Sequence, residues 1–135
     1  MITEITGNWI GKFTSGKSNN KSTQFYLECK ETNGKVLGFL TDDDTKEVFE
    51  APARVKGTFS SNQIKFGITY PYDFSEDEEG KLHFDKDKEA IEVKCIGLLI
   101  DETFTGTWKI TTAEMDKLGR ISYQDFEGTW YMKKN

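Results

Sequence analysis

The sequence predicts an all-β fold, an eight-stranded antiparallel up-and-down β-barrel with one short helix before the last strand. Three observations predict it. Apolar and polar residues alternate with a period of two in one segment after another, as in strands with one buried face. Short runs of Asn, Gly, Asp and Ser punctuate those segments. The tripeptide Gly-x-Trp recurs at Gly7-Asn8-Trp9, Gly106-Thr107-Trp108 and Gly128-Thr129-Trp130, each time with the glycine on the indole's parity, where it permits a sharp bend and leaves room beside a bulky ring. A chain of 135 residues suits one domain with one core, so residues 1–135 are expected to form a single barrel.

The first strand is the cleanest: Ile5, Gly7, Trp9, Gly11 and Phe13 share one parity, and Thr6, Asn8, Lys12 and Thr14 the other. A polar turn from Ser15 to Ser22 leads to a second strand, where Phe25, Leu27 and Cys29 alternate with Gln24, Glu28 and Lys30. Asn33-Gly34 is a hairpin signal, because both residues tolerate the positive φ of a type I′ turn, and Lys35 to Thr41 returns as strand three. After the charged turn Asp42-Asp43-Asp44, strand four runs from Phe49 to Phe59; Pro52, which has no N–H, is expected at a bulge or where one side lacks a partner. Ser60-Ser61-Asn62 turns the chain into strand five, with Ile64, Phe66, Ile68 and Tyr70 inward.

Strand six carries Ile91, Val93, Cys95, Gly97 and Leu99 on one parity, but Ile96, Leu98 and Ile100 make the other parity apolar too. Strand seven alternates Phe104, Gly106, Trp108 and Ile110 with Thr103, Thr105, Thr107 and Lys109. Thr111 to Gly119 reads as the short helix, with Thr111 as N-cap, Glu114 completing a capping box and Gly119 as the stop. The last strand places Phe126, Gly128, Trp130 and Met132 inward. Closure into a barrel removes the exposed edges that a meander of this length would otherwise present.

Ile5-Thr6-Gly7-Asn8-Trp9 resembles the opening of the avidin and streptavidin family, and the two later Gly-Thr-Trp strands are similar to those of the wider calycin group of barrels, which includes the lipocalins. The resemblance implies an eight-stranded ligand-binding barrel. In that family the first strand carries an Asn two residues after the Trp and a Ser further on, both bonded to the polar head of biotin. Here Gly11 holds the first of those positions and Ser15 the second by spacing alone, so the biotin-binding motif is not carried over. The long terminal helix of lipocalins and the paired helices of fatty-acid-binding proteins have no counterpart either.

Charge excludes several partners. The segment from Asp73 to Glu89 holds eight acids and three lysines, and this local excess of five accounts for the whole formal charge of −5. A neutral barrel with one acidic protrusion lacks the basic footprint that nucleic acid or an anionic membrane requires. No apolar run approaches the roughly 18 residues of a membrane helix, and the N-terminus has no signal-peptide character, so a cytoplasmic location is expected. Cys29 and Cys95 lie on inward parities and are read as buried free thiols; with one histidine, His83, no zinc site can be assembled. Ser75, Asp77, Glu79 and Gly80 imitate the start of an EF-hand loop, but the twelfth position is Lys86 instead of a bidentate Glu, so no metal is expected. No nucleophile motif or paired acid and base is present, which leaves no catalytic residue to name and no cofactor to expect.

The function expected is therefore non-enzymatic: a barrel whose aromatic interior holds a small apolar ligand, lined by Trp9, Phe13, Phe25, Tyr70, Trp108 and Trp130. The alternative is a protein-interaction module with a filled interior, acting through an outer face or through the acidic 73–89 segment. That segment is expected to be dispensable for folding, and failure of a shortened chain to fold would assign Leu82 and Phe84 to the core. Phe74, Leu82 or Phe84 could also lie across strand six. If they do not cover it, the outward Ile96, Leu98 and Ile100 predict self-association as a homodimer.

Overall fold

The computed structural model describes residues 4–15, 22–77, 79 and 81–135. Eight strands close into an antiparallel barrel: β1 (Gly7–Ser15), β2 (Ser22–Thr32), β3 (Lys35–Asp42), β4 (Ala53–Ser60), β5 (Gln63–Thr69), β8 (Val93–Ile100), β9 (Thr103–Met115) and β10 (Ile121–Lys134). Around the wall the order is β1-β10-β9-β8-β5-β4-β3-β2, so that every pair but the closing β1–β10 joins strands consecutive in the wall's meander. Two further strands, β6 (Asp73–Glu76) and β7 (Leu82–Asp85), form a separate hairpin between β5 and β8.

The two ends of the barrel differ because the chain closes them differently. At one end β2–β3, β4–β5 and β8–β9 are joined by two-residue turns, Asn33-Gly34, Ser61-Asn62 and Asp101-Glu102, all in the left-handed region with φ of 50° to 81°. This is the backbone twist that tight hairpins require. Ile5 plugs this end. It is fully buried, its N–H donates to Glu31 (3.0 Å), and its carbonyl accepts from Trp9 Nε1 (2.8 Å) and Cys29 Sγ (3.1 Å). The opposite end carries the longer connections, including the predicted polar turn, whose residues 16–21 lie outside those described.

Three sequence expectations are corrected. The predicted helix at Thr111–Gly119 is not helical: Thr111 to Met115 continue β9, paired in register with Asp125 to Ile121 of β10. Thr111 Oγ1 donates to Asp125 Oδ1 (2.7 Å) across the pair, so the residue read as a cap serves as a cross-strand tie. A nine-residue helix is marginal by itself, and β-branched threonines facing a pairing partner favour the strand. Asp116 organises the turn, its Oδ1 accepting from the N–H groups of Leu118 and Arg120 at 2.9 Å each. Gly119 keeps a left-handed conformation at φ 79°, now in a hairpin turn.

The second correction concerns Asp73 to Glu89. Its β6–β7 hairpin lays Phe74 and Phe84 against the core, stacked on each other at 5.7 Å between centroids and edge-on to Phe49 at 5.7 and 5.5 Å. The acidic residues therefore decorate an aromatic lid over the open end, which removes the physical basis for treating the segment as dispensable. The third is the start of strand four. Asp42 caps a tight turn through 43–48, so β4 begins at Ala53 and Pro52 precedes it with no ladder bond to lose.

Candidate functional site

The interior is full. Trp9, Phe25, Leu27, Ile64, Ile68, Phe104 and Met132 are all essentially inaccessible, and among the described residues no buried side-chain nitrogen or oxygen lacks a partner. The Gly-x-Trp repeats explain much of this packing. Register sets Gly106 opposite Trp130 and Gly128 opposite Trp108; Gly128 lies under the Trp108 ring, while the Trp130 ring reaches past Gly106 to lie over Gly97 of β8. A Cβ on Gly128 would fall 2.5 Å from Trp108 Cε2, and one on Gly97 would fall 2.5 Å from Trp130 Cζ2. Phe25 uses Gly11 in the same way: a Cβ there would come within 2.6 Å of Phe25 Cζ and 2.8 Å of Met132 Cβ. The position where the family resemblance would place a biotin-binding Asn thus has no room for a side chain.

Of the six residues named as candidate lining, Trp9, Phe25, Tyr70 and Trp130 are buried, while Phe13 and Trp108 are half-buried toward the open end. Their polar atoms are already committed within the chain. Trp9 Nε1 donates to Ile5 O (2.8 Å), Trp108 Nε1 to Thr14 O (3.2 Å) and Trp130 Nε1 to Thr107 O (3.0 Å). Phe13 stacks on Phe25 at 4.3 Å. The Tyr70 hydroxyl donates to Asp42 Oδ2 (2.6 Å).

Asp42 is the one buried carboxylate among the described residues, and the turn reading of Asp42-Asp43-Asp44 did not single it out. Its Oδ1 accepts from Asp44 N (3.1 Å), Thr45 N (2.9 Å) and Thr45 Oγ1 (2.9 Å), so with Tyr70 the carboxylate receives four hydrogen bonds. It fastens the β3–β4 turn to the end of β5. Beside it lies a half-open hollow of about 200 Å3, floored by Leu40, Phe49, Ala53 and Tyr70 with Lys46 and Glu50 at its rim. A second hollow of about 280 Å3 lies on the outer wall between Tyr26, Phe39 and Pro52. Pockets that enclose a drug-sized molecule usually run from roughly 300 to 1,000 Å3.

Both cysteines are buried and free. Burial pushes the Cys29 thiol up to about 11, and burial raises the Cys95 thiol as well. Burial, with the neighbouring Asp42 carboxylate second, raises the Tyr70 phenol well above its usual value. All three groups hold their protons more tightly folded than unfolded. Their contribution is complete below the unfolded thiol range and declines as pH rises past roughly 8.5 to 10, where the unfolded chain ionises first. The urea midpoint should therefore be level from pH 7 to 8 and fall steadily from pH 9 to 10.5, with a shallower fall in a Cys29→Ala/Cys95→Ala double variant. A midpoint constant to pH 10.5 would contradict the burial of these groups.

The EF-hand-like residues do no comparable work. Asp77 Oδ1 accepts from the N–H groups of Glu79 and Lys81 at 2.9 Å each, and Oδ2 is bonded to exposed His83 Nε2 (2.8 Å), a bond that holds Asp77 below the usual carboxylate range. Gly80 of that motif lies outside the described residues, among which no cluster of three potential metal ligands occurs.

The outer wall holds the remaining candidates. Ile96, Leu98 and Ile100 on β8 are 41%, 50% and 58% exposed, since the β6–β7 lid packs on Phe49, Tyr70 and Tyr72 instead of across β8. Their neighbours on β9 are the uncharged Thr107, Thr105 and Thr103, while on β5 Gln63 lies beside Leu98 and the exposed Lys65 beside Ile96. The sequence reading missed a second apolar surface. Among the described residues, pairing of β9 with β8 stops at Lys109 and pairing of β10 with β1 stops at Gly128, and residues 110–127 continue as a two-stranded β9–β10 ribbon. Near its tip Met115, Leu118, Ile121 and Tyr123 are all more than half exposed.

The fold and these surfaces define a closed, antiparallel eight-stranded barrel with a filled aromatic interior and an apolar outer strip. No protein-family model matches the chain, and no curated protein matches it. Among solved structures it is similar to rhizavidin, with a TM-score of 0.49 and 10% sequence identity, over 95% of this chain and 83% of that one.

Proposed function

We propose that this protein is a non-enzymatic protein-interaction module, a filled barrel that associates with a second copy of itself through the outer face of β8 and β9. The observation that carries this reading is the exposed aliphatic row of Ile96, Leu98 and Ile100, bordered by threonines on β9 and by Gln63 and Lys65 on β5, where the outward rows of β2 and β4 present Glu28, Lys30, Arg54 and Lys56. Exposed aliphatic strips of this kind mark contact surfaces, and a two-fold contact buries such a row against another copy of the same surface. A small apolar ligand among the six aromatic and tyrosyl residues would need the space their own rings fill.

Sedimentation over a wide concentration range tests the proposal. The wild type should form a dimer, and Leu98→Lys should give a folded monomer that still melts cooperatively, since the side chain is half exposed. A wild type that stays monomeric at the highest concentration overturns it.

A further inference from the structure

The β8 strip is small for the role assigned to it. Three partly exposed aliphatic side chains fall far short of the roughly 800 Å2 that each partner contributes to a stable interface of standard size. The ribbon supplies apolar surface on the same side of the same sheet. Along β9 the outward row runs Thr103, Thr105, Thr107, Lys109, Thr111, Ala113 and Met115, and register adds Tyr123 beside Ala113 and Ile121 beside Met115. One continuous outer face therefore carries two apolar clusters: Ile96, Leu98 and Ile100 near the tight-turn end, and Met115, Ile121 and Tyr123 near the ribbon tip.

We infer that the partner of the ribbon is the β8 strip of a second copy, in a two-fold dimer whose β9 strands run antiparallel across the interface. This rests on the self-association proposed above and specifies its geometry. Leu98 is level with Thr105, and Ile121 with Met115. Ten residues separate those levels, about 33 Å along a strand at its usual rise. A two-fold axis midway, near Ile110, superimposes each copy's ribbon cluster on the other's β8 cluster and covers all four at once. Around the axis lie Lys94, Lys109, Asp125 and Glu127, two charges of each sign, and Lys109 already pairs with Asp125 of its own ribbon at 3.3 Å. Charges of both signs there let Lys109 of each copy meet carboxylates of the other. Asp116 pins the tip through Arg120 Nε (2.6 Å), so little ordering remains for the ribbon on docking.

Two single charge variants test the geometry, Leu98→Glu and Ile121→Lys, both at exposed positions. Each alone should weaken self-association at least tenfold, while an equimolar mixture should recover a heterodimer, because one contact becomes Glu with Lys and the other stays apolar. If Leu98→Glu is monomeric but Ile121→Lys still dimerises like the wild type, the ribbon has no part and this geometry is overturned, while the β8 interface stands. Single variants that are both monomeric with no recovery on mixing also overturn the antiparallel arrangement. A monomeric wild type overturns both proposals.

Discussion

Gly106→Ala should abolish cooperative folding, or cost more than about 4 kcal/mol, the range reserved for severe steric or cavity effects. Gly106 has the inward parity of Phe104 and Trp108 and is paired with Gly97 across the β8–β9 ladder. A Cβ at this position would lie 1.9 Å from Ile96 O and 2.6 Å from Gly97 Cα, and both are backbone atoms that no rotamer change can move. The ring of Trp130, paired with Gly106 on β10, lies over the neighbouring Gly97. Gly119→Ala is the matched control. Its φ of 79° carries a left-handed penalty, but nothing lies within 4 Å, so the loss should be about 1 kcal/mol. Urea unfolding of the two variants measures the contrast. A Gly106→Ala chain that melts like the control would show that the strands can relax here, and that barrel curvature does not demand glycine.

Asp42→Ala should cost about 4 kcal/mol, because it removes a charge-assisted acceptor and leaves the Tyr70 hydroxyl and the Thr45 N–H without partners in a dry site. Asp42 is 3% exposed, so in the folded protein its four bonds are shielded from water. Tyr70→Phe removes one of those bonds and should cost about 1 to 2 kcal/mol. Because both losses pass through the same hydrogen bond, the double variant should lose clearly less than the total of the singles, a coupling of about 1 kcal/mol or more. Strict additivity would mean that the β3–β4 turn and the end of β5 are not energetically joined. Loss of this tie should also loosen the hollow floored by Leu40, Phe49 and Tyr70, since the same turn forms its wall.

Much of the barrel could be read residue by residue. Alternation located all eight wall strands, because a strand with one buried face must repeat every second residue, and that repeat is local. Asn33-Gly34 was legible as a turn for the same reason: the positive φ is a property of those two residues. Asp101-Glu102 was not, since neither residue favours the left-handed region and only the meeting of β8 with β9 holds them there. The Asp42 cap had a local signal in the Asp-x-x-Thr spacing to Thr45, which was masked by the neighbouring acids. Its bond to Tyr70, twenty-eight residues away, had none.

The sequence by itself determined an all-β chain with an inward face rich in rings and glycines, and it marked Ile96, Leu98 and Ile100 as misplaced for a solvated face. Tertiary structure alone decided three things. It turned a capping box at Thr111 into a strand, because thirteen residues of β10 were there to pair with β9. It joined Phe49, Phe74 and Phe84, distant in sequence, into a lid. And it filled the interior, because the rings read as candidate lining pack on glycines of other strands, Phe25 on Gly11, Trp108 on Gly128 and Trp130 on Gly97. Periodicity states which face a side chain occupies, but whether that face encloses space depends on strand register and barrel closure, which no single segment contains.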